Sequence, residues 1–345
     1  MKILVLTPTY FPLITGNAVT VHRIVAGISQ RGIKGKIINL SQKTDKELLA
    51  EAISFSPDII HCFHAYKGGS RGLLLKEKLG IPLVTTMTGT DVYIDLKDHE
   101  KQKVILNVLK KSDRITVFND SSLSRLIPWG IAKEKIYIIH QSVLMDKEEN
   151  INYRLLHGVT DKEVIFLMTG GIRPVKRIRC VVDVLTRLRK THPHIRLFLA
   201  GPILEKEEFE KIEKKRRTRP WITYLEQVQR EHIPSLYRSV DAVINASASE
   251  SEANSLLEAF YFHKLIIARK IPGNASFLSD QTALLFRTGQ DLYEKAQSVS
   301  EGRIDAAKFY AAIDRLMQTT FSNDTEIEGY QSIYRQLRNF ADTQK

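Results

Sequence analysis

Short apolar runs alternate with longer amphipathic stretches along the chain. In the first part, apolar runs at 3–7, 35–40, 58–64, 82–88, 114–119 and 135–140 predict strands, and the stretches at 18–30, 45–55, 70–79, 98–112 and 121–129 predict helices between them. From about 142 to 160 the chain is polar and irregular, which predicts a connection between domains. Predicted strands restart at 163–169, 195–200, 222–227, 242–245, 265–268 and 283–286, and amphipathic helices follow at about 305–321 and 326–341. Alternation at this spacing predicts an α/β protein with parallel, doubly wound sheets, divided into domains at 1–150 and 151–325. Local signals agree: Thr44 with Glu47 reads as a capping box, and Gly32 as a helix C-terminal cap.

The length of 345 residues suits two domains, and a hydrophobic content of 43% suffices for two cores. No run of about 18 apolar residues occurs, so no transmembrane helix is expected. The opening residues, cut short by Pro8, read as a first strand rather than a signal peptide. Cys62 and Cys180 both fall in apolar segments, the placement of reduced core thiols in a cytoplasmic protein rather than a disulfide or a metal site. A net charge of +12 favours anionic partners: a nucleotide-sugar, an anionic membrane surface or nucleic acid. Nucleic acid is disfavoured because no aromatics interleave the basic residues from Lys211 to Arg219, and the charged run at 207–219 reads as a solvated helix face, with peripheral membrane contact the alternative.

Candidate chemistry concentrates at 250–262. From Leu256 to Phe262 the only charge is Glu258, and a buried carboxylate is costly unless something binds it. Asn254 and Glu258 lie four apart, on one helix face, and backbone N–H groups near Asn254 and Ser255 make a helix start suited to phosphate. The competing reading is a core helix whose Glu258 pairs with a structural arginine. After the strand at 163–169, Gly170 and Gly171 precede Arg173 and Lys176 at the opening of a helix, a second phosphate site. The loop after the first strand lacks G-x-G-x-x-G, which argues against a nicotinamide or flavin domain, although Gly16 before a helix lets backbone approach a ligand. His61 and His64 close the third strand and are read as sharing one face; with no further ligands spaced nearby, zinc is discounted. Asp91 either caps the turn that follows it or faces a substrate. Gly273 and Asn274 suit a tight turn.

Glu250, seven residues and Glu258-Ala259 resemble the E-x7-E element of family 4 retaining glycosyltransferases with the GT-B fold. The Gly-Phe-Pro usual in that element is Ser251-Glu252-Ala253 here. The segments around Gly16, His64-Ala65-Tyr66-Lys67, Thr88-Gly89-Thr90-Asp91, Gly171-Ile172-Arg173-Pro174-Val175-Lys176 and Arg269-Lys270-Ile271-Pro272-Gly273-Asn274 resemble one subset, the glycosyltransferase 1 domain-containing proteins and their prokaryotic relatives. Two departures from the wider family accompany them: Thr88 stands where many members have histidine, and Gly171 where they have arginine. The resemblance implies two facing Rossmann-like domains with an interdomain cleft, and a last helix, 326–345, packed back on the first domain. It implies a metal-independent hexosyltransferase, without cofactor, acting from a nucleotide-sugar on a lipid-linked or glycan acceptor. Glu258 would hold the ribose, Glu250 the donor sugar, and Arg173 and Lys176 the leaving diphosphate. Gly16, Gly171, Asn254, Ser255 and Asn274 would contact the donor, Asp91 would assist the acceptor, and His64, Tyr66 and Lys67 would line the acceptor side. Closure of the cleft would exclude water. The departures leave two other readings: a nucleotide-sugar-binding protein that has lost transfer, and a GT-B epimerase.

Overall fold

The computed structural model describes residues 1–145 and 148–343. They form two compact units. The first comprises Met1–Ser142, Ser249–Glu252 and the chain from Thr320 onward, and the second comprises Val143–Ala248 and Ala253–Thr319. Within the polar segment expected to connect domains, Val143 onward groups with the second unit, and Asp146 and Lys147 lie outside the described residues.

The first unit is built on six parallel strands: β1 (Lys2–Thr7), β2 (Lys34–Asn39), β3 (Ile59–Phe63), β4 (Leu83–Thr86), β5 (Arg114–Val117) and β6 (Ile136–Ile138). Their order is β2-β1-β3-β4-β5-β6. A parallel sheet is covered on both faces, so its strands are apolar throughout rather than alternating. Ile3, Leu4, Val5 and Leu6 of β1 are accordingly all fully buried, with Ile3 and Val5 in one core and Leu4 and Leu6 in the other. The Ile3 core includes Ile327, Tyr330, Ile333 and Tyr334 of the last helix, Asn323–Thr343, which packs against helix Gly16–Gln30. Gly27 permits that approach, since a Cβ there would sit 2.5 Å from Ile327 Cγ1.

The second unit repeats the plan with β7 (Val164–Thr169), β8 (Ile195–Ala200), β9 (Ile222–Tyr224), β10 (Ala242–Asn245), β11 (Leu265–Arg269) and β12 (Leu284–Phe286), in the order β12-β11-β10-β7-β8-β9. Its helices include Ile178–Leu188, Lys206–Arg216, Ile233–Ser239 and Asn254–Tyr261. In each sheet the strand order reverses once, between β1 and β3 and between β7 and β10. Loops leaving the carboxyl ends of two such strands diverge to opposite faces and open a crevice, the usual ligand position in open α/β sheets.

The capping box at Thr44 and Glu47 is present, and Gly32 takes the left-handed conformation (φ 78°) after helix Gly16–Gln30. Cys180 departs from expectation. It is exposed on helix Ile178–Leu188, whose buried face is carried by Ile178, Val181, Val182 and Leu185, whereas Cys62 is buried as expected. Among the described residues, no helix is long and apolar enough to cross a membrane.

Candidate functional site

The second unit places its candidate residues at its switch point. β7 ends at Thr169, and Gly170 turns the chain with φ 122°. Gly201, after the adjacent β8, has φ 147°, and a Cβ there would overlap the Gly170 carbonyl oxygen. The two loops therefore run in backbone contact. Ile172 N–H then donates to Pro202 O at 2.8 Å, and Arg173 leads into a tight turn at Pro174–Lys176. Lys176 folds back across the loop, its Nζ 3.3 Å from where a Cβ on Gly170 would stand. Arg173 Nε is buried without a hydrogen-bond partner. The loop after β10 is tied to this one by Ala248 N–H donating to Val175 O at 2.8 Å.

Helix Asn254–Tyr261 follows, with no side chain capping its start. Asn254 and Ser255 are half-buried in its first turn, and Glu258 is buried one turn on. Arg230 Nη1 donates to Glu258 Oε1 at 3.1 Å, and Tyr237 Oη to Oε2 at 2.9 Å. Arg230 Nη2 also donates to Leu144 O at 2.6 Å. Burial, and then the adjacent Glu258 charge, raise the Tyr237 phenol well above its usual value, which keeps it a donor. Glu258 is thus gripped by a cation on one oxygen and a phenol on the other, and a carboxylate oxygen is an acceptor suited to hydroxyl donors. Neither Arg230 nor Tyr237 was foreseen from the sequence; the separation of 28 residues between Arg230 and Glu258 carries no local pattern. Asn274, after β11, is fully buried, donating from Nδ2 to Arg269 O at 2.9 Å and to Asn245 Oδ1 at 3.3 Å, while its Oδ1 has no partner. Gly171 packs under Leu204.

In the first unit, Gly16 begins helix Gly16–Gln30 after β1, behind Thr15, whose side chain accepts from Ala18 N–H. The other loop at that switch point follows β3. His61 and His64 do not share a face as expected: three positions are an odd number of strand steps, and β3 ends at Phe63 before His64 turns to φ 72°. His61 is buried between Tyr334 Oη (2.6 Å) and Thr86 Oγ1 (2.7 Å), and burial pulls its pKa down to about 3, a neutral core imidazole. His64 is 3% exposed; its Nδ1 accepts from Lys67 N–H, and its Nε2 lies 3.6 Å from Asp95 Oδ2. Tyr66 is half-buried and Lys67 exposed.

Asp91 is fully buried in the short helix Thr90–Tyr93. Its Oδ1 accepts from Thr88 N–H (2.9 Å) and Gly89 N–H (3.0 Å), and its Oδ2 from Ala65 N–H (2.8 Å). A carboxylate that accepts from three backbone amides holds two turns together, the capping role that the sequence also allowed for it. Glu250 is half-buried in the loop Ser249–Glu252, which groups with the first unit. On helix Lys206–Arg216 the basic side chains are laced to acidic ones, Lys215 to Asp183 and Arg216 to Glu213 among them, the arrangement of a solvated face.

Two doubly wound six-stranded sheets are the arrangement of the GT-B fold. The fold matches solved members: the HepE protein of Anabaena in complex with UDP-glucose has a TM-score of 0.81 at 16% identity, covering 96% of this chain and 99% of its own. Sucrose-phosphate synthase of Thermosynechococcus elongatus likewise has a TM-score of 0.81, at 15% identity, covering 99% of this chain and 100% of its own. In sequence, glycosyltransferase 1 domain-containing protein 1 of Xenopus tropicalis is 23% identical over 334 residues, 94% of this chain and 95% of its own. Residues 2–146 match the family described as Glycosyltransferase Family 4, and residues 152–315 that described as Glycosyl transferases group 1. The chain belongs to the family 4 glycosyltransferases.

Proposed function

We propose that the protein moves a hexosyl group from a nucleotide-sugar to an acceptor hydroxyl, with retention of anomeric configuration and without a metal ion. The observation that carries this is the switch point of the second sheet, where Glu258, held by Arg230 and Tyr237, and the loop bearing Arg173 and Lys176 leave adjacent strands. Glu258 accepts from the two ribose hydroxyls. Arg173 and Lys176, with the N–H groups around Gly171, Asn254 and Ser255, take the diphosphate. Asn274 offers its buried amide oxygen to a ligand donor, and Glu250 binds hydroxyls of the donor sugar. The bond from anomeric carbon to phosphate oxygen breaks as the bond to the acceptor oxygen forms on the same face. The acceptor's proton leaves with the departing phosphate. Fixed cations at that phosphate supply the electrostatic stabilisation that the step needs most. HepE, solved with UDP-glucose, makes a uridine nucleotide the first donor to try.

Thermal-shift screening of UDP-, GDP- and ADP-sugars, with Glu258→Ala as control, identifies the donor. NMR of the product then reads the anomer. An inverted product, or equal stabilisation of wild type and Glu258→Ala, overturns the reading. Thr88 and Gly171, at positions where many members carry histidine and arginine, favour a second reading, a donor-binding protein without transfer; its sign is donor binding with no nucleotide release on any acceptor.

A further inference from the structure

The loop that carries Glu250 departs from the family motif at the next residues, and those residues are built into the first unit. Ser251 and Glu252 are 4% and 5% exposed. Ser251 O accepts from Asn119 Nδ2 at 3.0 Å, and its hydroxyl lies 3.3 Å from Ser122 Oγ. Gly89 leaves room for it: a Cβ there would stand 3.2 Å from Ser251 Cβ. Glu252 is held at three points. His140 Nδ1 lies 2.6 Å from Oε1, Gln141 N–H donates to Oε2 at 2.8 Å, and Gln141 Nε2 donates to the Glu252 carbonyl at 2.7 Å. The same Gln141 accepts at Oε1 from Thr20 Oγ1 (2.6 Å) and Arg23 Nη2 (3.3 Å). Arg23 pairs bidentately with Glu326 at 2.7 and 2.9 Å, and Ser142 Oγ donates to Glu326 at 2.6 Å. A continuous buried polar network therefore joins the loop to helix Gly16–Gln30 and to the last helix.

A carboxylate buried two residues from Glu250 is costly, and a loop needing only to turn would not require one. Backbone and side chain of Glu252 are both gripped, which fixes the path of the preceding residues as well as its own. We infer that Glu252 and His140 are positioning residues for the transfer reaction, clamping the loop Ser249–Glu252 so that the Glu250 carboxylate is fixed in place. The inference rests on Glu250 binding the donor sugar, as proposed above.

The clamp has a pH dependence. Burial lowers the His140 pKa, but the hydrogen bond and charge of Glu252, with Asp120 adding, outweigh it and leave His140 raised above 6.5. Burial raises the Glu252 carboxyl, opposed by His140, with the Glu326 charge pushing it further up. Arg23, also within the field of Glu252, is neutralised first by Glu326. Both folded pKa values are raised, so each group contributes stability on the acid side: the share of Glu252 is lost as pH climbs through its raised carboxyl value, and that of His140 as pH climbs from 6.5 through its raised imidazole value.

The test compares wild type, Glu252→Ala, Glu252→Gln and His140→Asn, each shown to be folded by its thermal transition. Hydrogen exchange of the peptide spanning 247–256 is measured across pH, together with kcat and KM for UDP-glucose turnover. In Glu252→Ala, exchange of that peptide rises about tenfold and kcat falls about a hundredfold, the scale of a misplaced catalytic geometry, while KM changes less than threefold. Glu252→Gln, which keeps an oxygen for the Gln141 amide, restores most of the protection. Wild-type kcat declines as pH climbs from 6.5 through the raised His140 value, and His140→Asn flattens that limb. Unchanged exchange in Glu252→Ala overturns the clamp; raised exchange with kcat within twofold of wild type overturns its role in positioning. A wild-type protein that does not turn over UDP-glucose counts against the transferase reading with this donor, and the clamp then stands or falls on exchange alone.

Discussion

Glu258 lies on the apolar helix Asn254–Tyr261, and each of its oxygens is fixed by a different element, Arg230 from the turn Arg230–His232 and Tyr237 from helix Ile233–Ser239. The competing sequence reading, a structural arginine pairing with Glu258, is present as Arg230, and under the proposed function that arginine orients the carboxylate toward the ribose. Hydrogen bonds to a charged group are worth about 1.5–3 kcal/mol, so Glu258→Ala is expected to weaken donor binding roughly tenfold to a hundredfold by calorimetry. Tyr237→Phe removes one orienting bond and should weaken it less. Lys176→Ala and Arg173→Ala act on the departing phosphate instead, and loss of one such group is expected to lower kcat by about 10²–10³ with a smaller change in KM. Equal changes in both constants would show that these cations bind the ground state alone. Asp91 teaches the opposite lesson. Its type and position suggest chemistry, and the partners that the structure gives it are three backbone amides, a capping role that no local pattern separates from a catalytic one.

At the scale of elements, the apolar runs located the twelve strands found among the described residues, because a parallel strand buried on both faces is apolar at every position. The ends were less legible. The run at 135–140 predicts a strand to His140, yet β6 stops at Ile138 because the Gln141 amide and the His140 ring turn to Glu252, 112 and 111 positions away for His140 and Gln141 respectively. Helix Thr90–Tyr93 and the turn Ala65–Gly69 are too short to show a period, and both are set by Asp91. Long-range polar partners of this kind leave no trace in local pattern, which is why Glu252 stands out in the sequence only as a departure from the family element. Two elements carry tests of their own. Gly201→Ala forces a side chain against the Gly170 carbonyl at a φ that L-residues rarely adopt, with an expected cost of about 2 kcal/mol and weaker donor binding. Arg23→Ala strips Glu326 of its partner in a pair whose side chains are 2% and 1% exposed, and breaking such a pair should cost about 3–5 kcal/mol in urea unfolding. A loss under 1 kcal/mol would mean that the last helix is held by its apolar face alone.

Over the whole molecule, the net charge of +12 and the position of the donor groups lead to one further expectation. A ligand that binds only the folded chain stabilises it by mass action, by about 2.7 kcal/mol at a hundred times its dissociation constant. Because the proposed donor groups all leave the carboxyl edge of β7, β10 and β11, hydrogen-exchange protection on adding UDP-glucose should concentrate in peptides covering 169–177, 246–258 and 270–275. The outer helix Lys206–Arg216, where Lys215 and Arg216 are already paired with carboxylates, should be unaffected. The diphosphate carries the charge in this interaction, so affinity should fall as ionic strength rises and the Debye length shrinks from about 10 Å toward 3 Å. Glu258→Ala should weaken binding while keeping that salt dependence, whereas the double substitution of Arg173 and Lys176 by alanine should flatten it. Protection spread evenly over both units, or a salt dependence that survives loss of both cations, would place the diphosphate elsewhere and leave the glycine-rich loop after β7 with a purely structural role.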